Sequence, residues 1–159
     1  MINNKAYLTA IKRNKVSAPM QYLLDKKLLL IGIDILDYVC GRCFDAQFFG
    51  FHKYDPHYFP NDQLLSLEWD CIVCNYVLNV VDENVADEIL KKIHSMLSDK
   101  GTAYITVRRD VKENGFTSKG TFQRDVKLNL PIVKEARGNY CIYRLDKADR
   151  KSTRLNSSH

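Results

Sequence analysis

The sequence predicts an α/β fold, a three-layer sandwich in which a mostly parallel sheet carries helices on both faces and closes with a C-terminal antiparallel hairpin. Three observations lead there. The run WDCIVCNYVLNVV, Trp69 to Val81, is apolar without interruption, as a strand buried on both faces must be. A long amphipathic helix and a further apolar strand follow it, which is the rhythm of strands alternating with helices. PIVKEARGNYCIYRL, Pro131 to Leu145, then reads as two strands around an Arg137-Gly138-Asn139 turn.

Each element has its own signal. Ser17 is placed to cap a helix with Pro19 in its first turn, so MQYLLDKKLL predicts a helix from about Ala18 to Leu28. Ile33 to Tyr38 reads as a strand entering a loop, Asp45 to Phe49 as a very short helix, and Phe51 to Asp55 as a second strand. Pro56 to Glu68 is irregular. Asp82 caps ENVADEILKKIHSMLSDKG, where Val85, Ile89, Ile93 and Leu97 recur every four residues beside Ala86, Leu90 and Met96, and Gly101 is expected to end the helix. A strand follows from about Ala103 to Arg108. Val111 to Asn129 is polar and reads as a long loop. No full strand separates the second strand from Trp69, so the sheet is expected to be trimmed at one edge.

Length and composition narrow the class. The 159 residues, 45% hydrophobic and 27% charged, suit a single globular domain over residues 1–148. No window has the unbroken apolar length of a membrane span, and MINNKAYLTAIKRNK lacks a signal peptide's apolar centre, so the chain reads as cytoplasmic without a membrane partner. The last eleven residues, DRKSTRLNSSH from Asp149 to His159, read as a translated sequencing adaptor and are expected to be disordered. Without the tail's Arg150, Lys151, Arg154 and Asp149 the chain has 21 basic and 18 acidic residues, and its net charge falls from +5 to +3. That excess is too small to argue for nucleic acid.

Five cysteines, an odd number without a secretory signal, predict reduced thiols. Two CxxC pairs, Cys40 with Cys43 and Cys71 with Cys74, could close a tetrahedral zinc site. Cys71 and Cys74 lie within an apolar strand, however, where alternation sends them to opposite faces and suits them to be small buried hydrophobes. No metal is therefore expected. CGRC instead follows a strand ending in Asp37, where nucleotide-binding α/β folds place a glycine-rich turn.

At that motif the chain resembles small bacterial and phage proteins of the class I S-adenosylmethionine-dependent methyltransferase superfamily. Their first motif is often D-Y-G-C-G-R-G; this chain has Asp37-Tyr38-Val39-Cys40-Gly41-Arg42-Cys43. LTAIKRNKVSAPM, KYDPHYFP, NYVLNVV, TVRRD and TSKGTFQRDVKLNLP extend the resemblance over most of residues 1–145. It implies a Rossmann-like fold, S-adenosylmethionine as cofactor, and methyl transfer to an unknown acceptor, a small molecule or nucleic acid. It implies that Asp37 and the backbone of Tyr38, Val39, Cys40 and Gly41 flank the methionine part of the cofactor. Asp55, followed by Pro56, would accept from the ribose hydroxyls, and Asn75 and Tyr76 would lie near cofactor and acceptor.

The departures are Val39 and Cys43, where the motif has glycine. A β-branched residue forced into the glycine conformation costs about 1–3 kcal/mol, and its side chain crowds the pocket. Both are one base from a glycine codon, so a read error and a truly degenerate loop both account for them; the second makes the chain an inactive, non-catalytic binding module. No catalytic residue is assigned. Of the histidines, His52, His57, His94 and His159, only His57 is near the expected site, and it reads more readily as a loop residue than as a base. YDPHY resembles the D-P-P-Y signature of methyltransferases acting on bases, but that signature belongs where this chain has NYVL. Lys12, Arg13, Lys15, Arg108, Arg109, Lys119 and Arg124 could line an anionic groove or form a solvated face. The aromatics from Phe48 to Phe59 read mostly as core around a short helix.

Overall fold

The structure, a computed structural model, describes residues 6–29 and 33–149. Six strands form one sheet: β1 (Ile35–Tyr38), β2 (His52–Tyr54), β3 (Trp69–Asn75), β4 (Leu97–Arg108), β7 (Ile132–Ala136) and β8 (Tyr140–Asp146), in the order β2-β1-β3-β4-β8-β7. The first four are parallel; β8 pairs antiparallel with both β4 and β7. A separate small hairpin joins β5 (Gly115–Phe116) to β6 (Phe122–Gln123) within the expected loop. The helices are α1 (Ala18–Asp25), α2 (Phe44–Phe49) and α3 (Glu83–Met96). This is the mostly parallel α/β sheet with a closing hairpin that the sequence predicts, and β2 is its edge, as expected of a sheet trimmed on that side.

Burial on both faces explains the long apolar runs. Along β3, Ile72 and Cys74 join Ile89, Leu90 and Ile93 of α3 in one core, while Cys71 and Val73 join Met20 and Leu23 of α1 in the other. Cys71 and Cys74 thus do point to opposite faces. Burial pushes the Cys71 thiol up to about 12 and raises that of Cys74 too, so both are neutral packing groups. Among the described residues no cluster of three or more His, Cys, Asp or Glu side chains gathers as a metal site, and no helix is long and apolar enough to cross a membrane.

Two local expectations are corrected. The helix α3 starts as predicted, with the Asp82 carboxylate accepting from Val85 N at 2.9 Å, but it stops at Met96. Leu97, at ψ 138°, already has extended backbone, and Gly101 lies inside β4. Glycine is needed there for closeness: a Cβ would meet Trp69 O at 2.8 Å. Ser17 makes no side-chain bond to the start of α1. Its hydroxyl and N–H donate instead to the two carboxylate oxygens of Asp45, at 2.6 and 2.9 Å, tying the segment before α1 to α2.

The order of the strands sets where a ligand can go. From β1 the chain passes outward to β2, then returns across β1 to β3. This reversal makes a crevice at the carboxyl ends of β1 and β3, the usual ligand position in open parallel sheets.

Candidate functional site

A cavity of about 780 Å³ opens at that crevice. Small-molecule sites span roughly 300–1,000 Å³, so its size is that of such a site. All nine residues singled out for the cofactor, Asp37, Tyr38, Val39, Cys40, Gly41, Asp55, Pro56, Asn75 and Tyr76, are on its wall. So is His57, whose ring stacks on Tyr7 with centroids 3.7 Å apart.

The loop after β1 has an alternating backbone. Val39, Gly41 and Cys43 adopt φ of +58°, +59° and +56°. These are the three glycine positions of the motif, and the left-handed conformation that favours glycine is present at each although two side chains oppose it. Val39 bears the strain the sequence anticipates, and Cys43 shares the same left-handed backbone. Gly41 cannot be replaced cheaply, since the 3-10 turn Ala6–Thr9 leads the chain across the loop and a Cβ would meet Ala10 Cβ at 3.0 Å. Cys40 and Cys43 are joined by a disulfide with Cα atoms 4.7 Å apart, against the expectation of reduced thiols; neighbours in a CxxC turn are close enough to pair.

Three acids lie on the same wall. Asp55 holds the loop in place: one of its oxygens accepts from Gly41 N at 2.8 Å, the other from His57 N and Tyr58 N, both at 3.0 Å. Three bonds to a carboxylate leave it about one lone-pair site for a ligand. Asp45 is spent on Ser17. Asp37, 4% exposed, has its carboxyl pushed up to about 8 by burial first and then by the charges of Asp45 and Asp55, so it is largely protonated at neutral pH. On the neighbouring strand the Asn75 side-chain oxygen is buried with no donor. That oxygen calls for an N–H or a cation from a ligand.

Sequence reasoning did not find Asp45, whose partner is 28 residues away, nor Tyr7 and Asn79. Asn79 braces the mouth, donating to Arg124 O at 2.9 Å and accepting from Arg108 N at 2.7 Å. The seven basic residues of the supposed groove separate. Arg13, Arg108 and Lys119 line the cavity; Lys12 and Lys15 are exposed elsewhere. Arg109 turns inward to Val126 O and Tyr143, and Arg124 Nε donates to Val81 O at 2.7 Å, so these two are structural.

No protein-family model and no curated protein matches the chain. Solved structures do. DhpI in complex with SAH superposes with a TM-score of 0.53 at 11% identity, over 80% of this chain and 86% of that one. A TehB-like SAM-dependent methyltransferase from Corynebacterium glutamicum gives 0.49 at 16% identity, over 84% and 90%. The mitomycin 7-O-methyltransferase MmcR gives 0.49 at 12% identity, over 74% of this chain and 50% of that one. At such identities the likeness is one of fold alone, the Rossmann-like α/β sheet that this chain shares with DhpI.

Proposed function

We propose that the chain is an S-adenosylmethionine-dependent methyltransferase whose cofactor affinity is lowered by Val39 and Cys43. The observation that carries this is the loop from Val39 to Cys43, which keeps the alternating left-handed backbone of a glycine-rich cofactor loop at the switch point of the sheet. The residues suit the cofactor. The orphaned Asn75 oxygen, and Asp37 once a bound cation draws its carboxyl back to the ionised form, would take its cationic, N–H-bearing end, the backbone of Tyr38, Val39, Cys40 and Gly41 would flank the methionine part, and Asp55, before Pro56, keeps one acceptor site for the ribose. When bound, the cofactor supplies an electrophilic methyl group. The chain's own part is to orient and enclose: the 3-10 turn at Ala6–Thr9 covers the loop, and Asn75 and Tyr76 hold the acceptor side. Methyl transfer by positioning needs no covalent residue, and His57 is engaged with Tyr7 rather than poised as a base.

A second reading, a non-catalytic binding module, is favoured by one fact: two of the three left-handed positions of the loop on the cavity wall carry side chains, Val39 and Cys43, in place of glycine. Calorimetric titration of S-adenosylmethionine into the full chain and into the double variant Val39→Gly, Cys43→Gly, both under reducing conditions, separates the two. Binding at least tenfold tighter in the variant, about 1.4 kcal/mol, supports an impaired cofactor site. Absence of binding by both would sink the methyltransferase reading in favour of the module.

A further inference from the structure

We propose that the acceptor end of this cavity takes a small anionic molecule, its carboxylate or phosphate group held between Arg13 and Arg108. The inference deepens the methyltransferase reading and rests on it for the word acceptor. The guanidinium carbons of Arg13 and Arg108 lie 5.6 and 5.7 Å from the centroid of one ring, that of Tyr76, and all three residues are on the cavity wall. They arrive from separate parts of the chain, the segment before α1, the end of β4 and the turn after β3. Tyr76 stands at φ +65°, a left-handed conformation costly for a tyrosine, and its N–H donates to Thr106 O at 2.8 Å, which fixes the turn.

Two cations gathered at one ring repel each other, and the π face offsets only part of that. A carboxylate meets only one of the two. Arg108 commits its Nε and one terminal nitrogen to Asp110, at 2.8 and 2.6 Å, and keeps the other terminal nitrogen. Arg13 has no carboxylate partner among the described residues. The wall offers none: Asp45 is bound by Ser17, Asp55 by three backbone N–H groups, and Asp37 is largely neutral. Lys119 adds a third cation on the side of the β5–β6 hairpin. The cavity is thus polarised, with the acids on the β1–β2 side and, around Tyr76 and the hairpin, Arg13 and Lys119 without carboxylate partners among the described residues beside the one uncommitted terminal nitrogen of Arg108. A guanidinium edge fits the two oxygens of a carboxylate or phosphate. A polyanion would need a continuous basic stripe, and the inward turn of Arg109 and Arg124 removes it.

The test is an NMR titration of the full chain, following backbone amides, with benzoate, inorganic phosphate and uncharged benzamide, each with and without S-adenosylmethionine. The expected result is that benzoate or phosphate shifts the amides around Arg13, Tyr76 and Arg108, while benzamide binds at least tenfold more weakly. Whichever anion responds names the group. Arg13→Ala should weaken that anion tenfold or more, Arg13→Lys should restore part of the loss, and cofactor affinity should change by less than about twofold. Equal binding of benzamide and benzoate overturns the proposal. So does a loss of cofactor affinity in Arg13→Ala and Arg108→Ala with anion binding intact, which would give the arginines to the cofactor. Tighter binding of a short single-stranded oligonucleotide, lost on replacing Lys12 and Lys15, overturns it in favour of nucleic acid. Anion shifts with no cofactor response from either the full chain or the double variant Val39→Gly, Cys43→Gly leave the anion site standing and remove the methyltransferase reading; cofactor binding without anion shifts does the reverse.

Discussion

Val39 and Cys43 occupy a conformation suited to glycine, at φ +58° and +56°, so their replacement by glycine has a predictable sign even without ligand. Glycine elsewhere destabilises through the entropy of the unfolded chain; here relief of left-handed strain outweighs it, by about 1 kcal/mol for the β-branched Val39. Urea unfolding under reducing conditions should show Val39→Gly raising the midpoint at unchanged slope, and a lowered midpoint would mean that Val39 is not strained. Asp37 yields a pH dependence. Its carboxyl is raised from 3.8 to about 8, so between these values the folded chain binds more protons than the unfolded one, and its contribution to stability is lost as pH rises from about 4 to about 8. Asp37→Asn should flatten this decline and be the more stable protein above pH 8; parallel urea-midpoint curves for the two proteins would contradict the buried-acid account. At this scale the loop was legible because a motif fixes backbone conformation. The Ser17–Asp45 pair was not, since a contact spanning 28 residues leaves no local pattern.

Among the elements, α3 shows what local rules can and cannot tell. Its start was legible because a cap is a contact between neighbours, Asp82 with Val85 N. Its end was misplaced because Gly101 resembles a helix-terminating glycine, whereas tertiary packing decides its role. An alanine methyl at this position would stand 2.8 Å from Trp69 O and 3.0 Å from Ser98 backbone atoms, so Gly101→Ala must push β4 away from β3. Overpacking of that kind costs about 1–3 kcal/mol, far outside the small gain alanine usually brings over glycine. A thermal midpoint equal to or above that of the parent would show that Gly101 ends the helix after all. The β5–β6 hairpin was missed because two-residue strands carry no periodicity, yet its Phe122 and the adjoining Thr121 and Gln123 close one side of the cavity.

For the whole molecule, two cores on opposite faces of one sheet make β8 indispensable. Tyr140 and Ile142 pack on the α1 face, Cys141, Tyr143 and Leu145 on the α3 face. Five buried side chains at about 1.5–3 kcal/mol each contribute on the order of 10 kcal/mol, as much as the entire stability of a typical domain. This architecture was legible because continuous apolar runs, a capped helix and a Gly-containing turn are repeated, additive signals; the cavity's charge polarity was not, because it depends on which cations turn inward. Beyond β8 the chain is clasped once more, by Lys147 N on Gly101 O at 3.0 Å, Lys147 Nζ on His94 O at 2.9 Å, and a 3.0 Å hydrogen bond between Lys147 O and the His94 ring. The expected adaptor tail begins at Asp149, and residues 150–159 lie outside the described structure. We therefore expect a chain ending at Ala148 to melt within about 1 °C of the full chain, and one ending at Asn139, without β8, to remain unfolded. A drop of several degrees in the first would make the tail part of the domain; a cooperative transition in the second would show that β1 to β4 and α3 form a core sufficient by themselves.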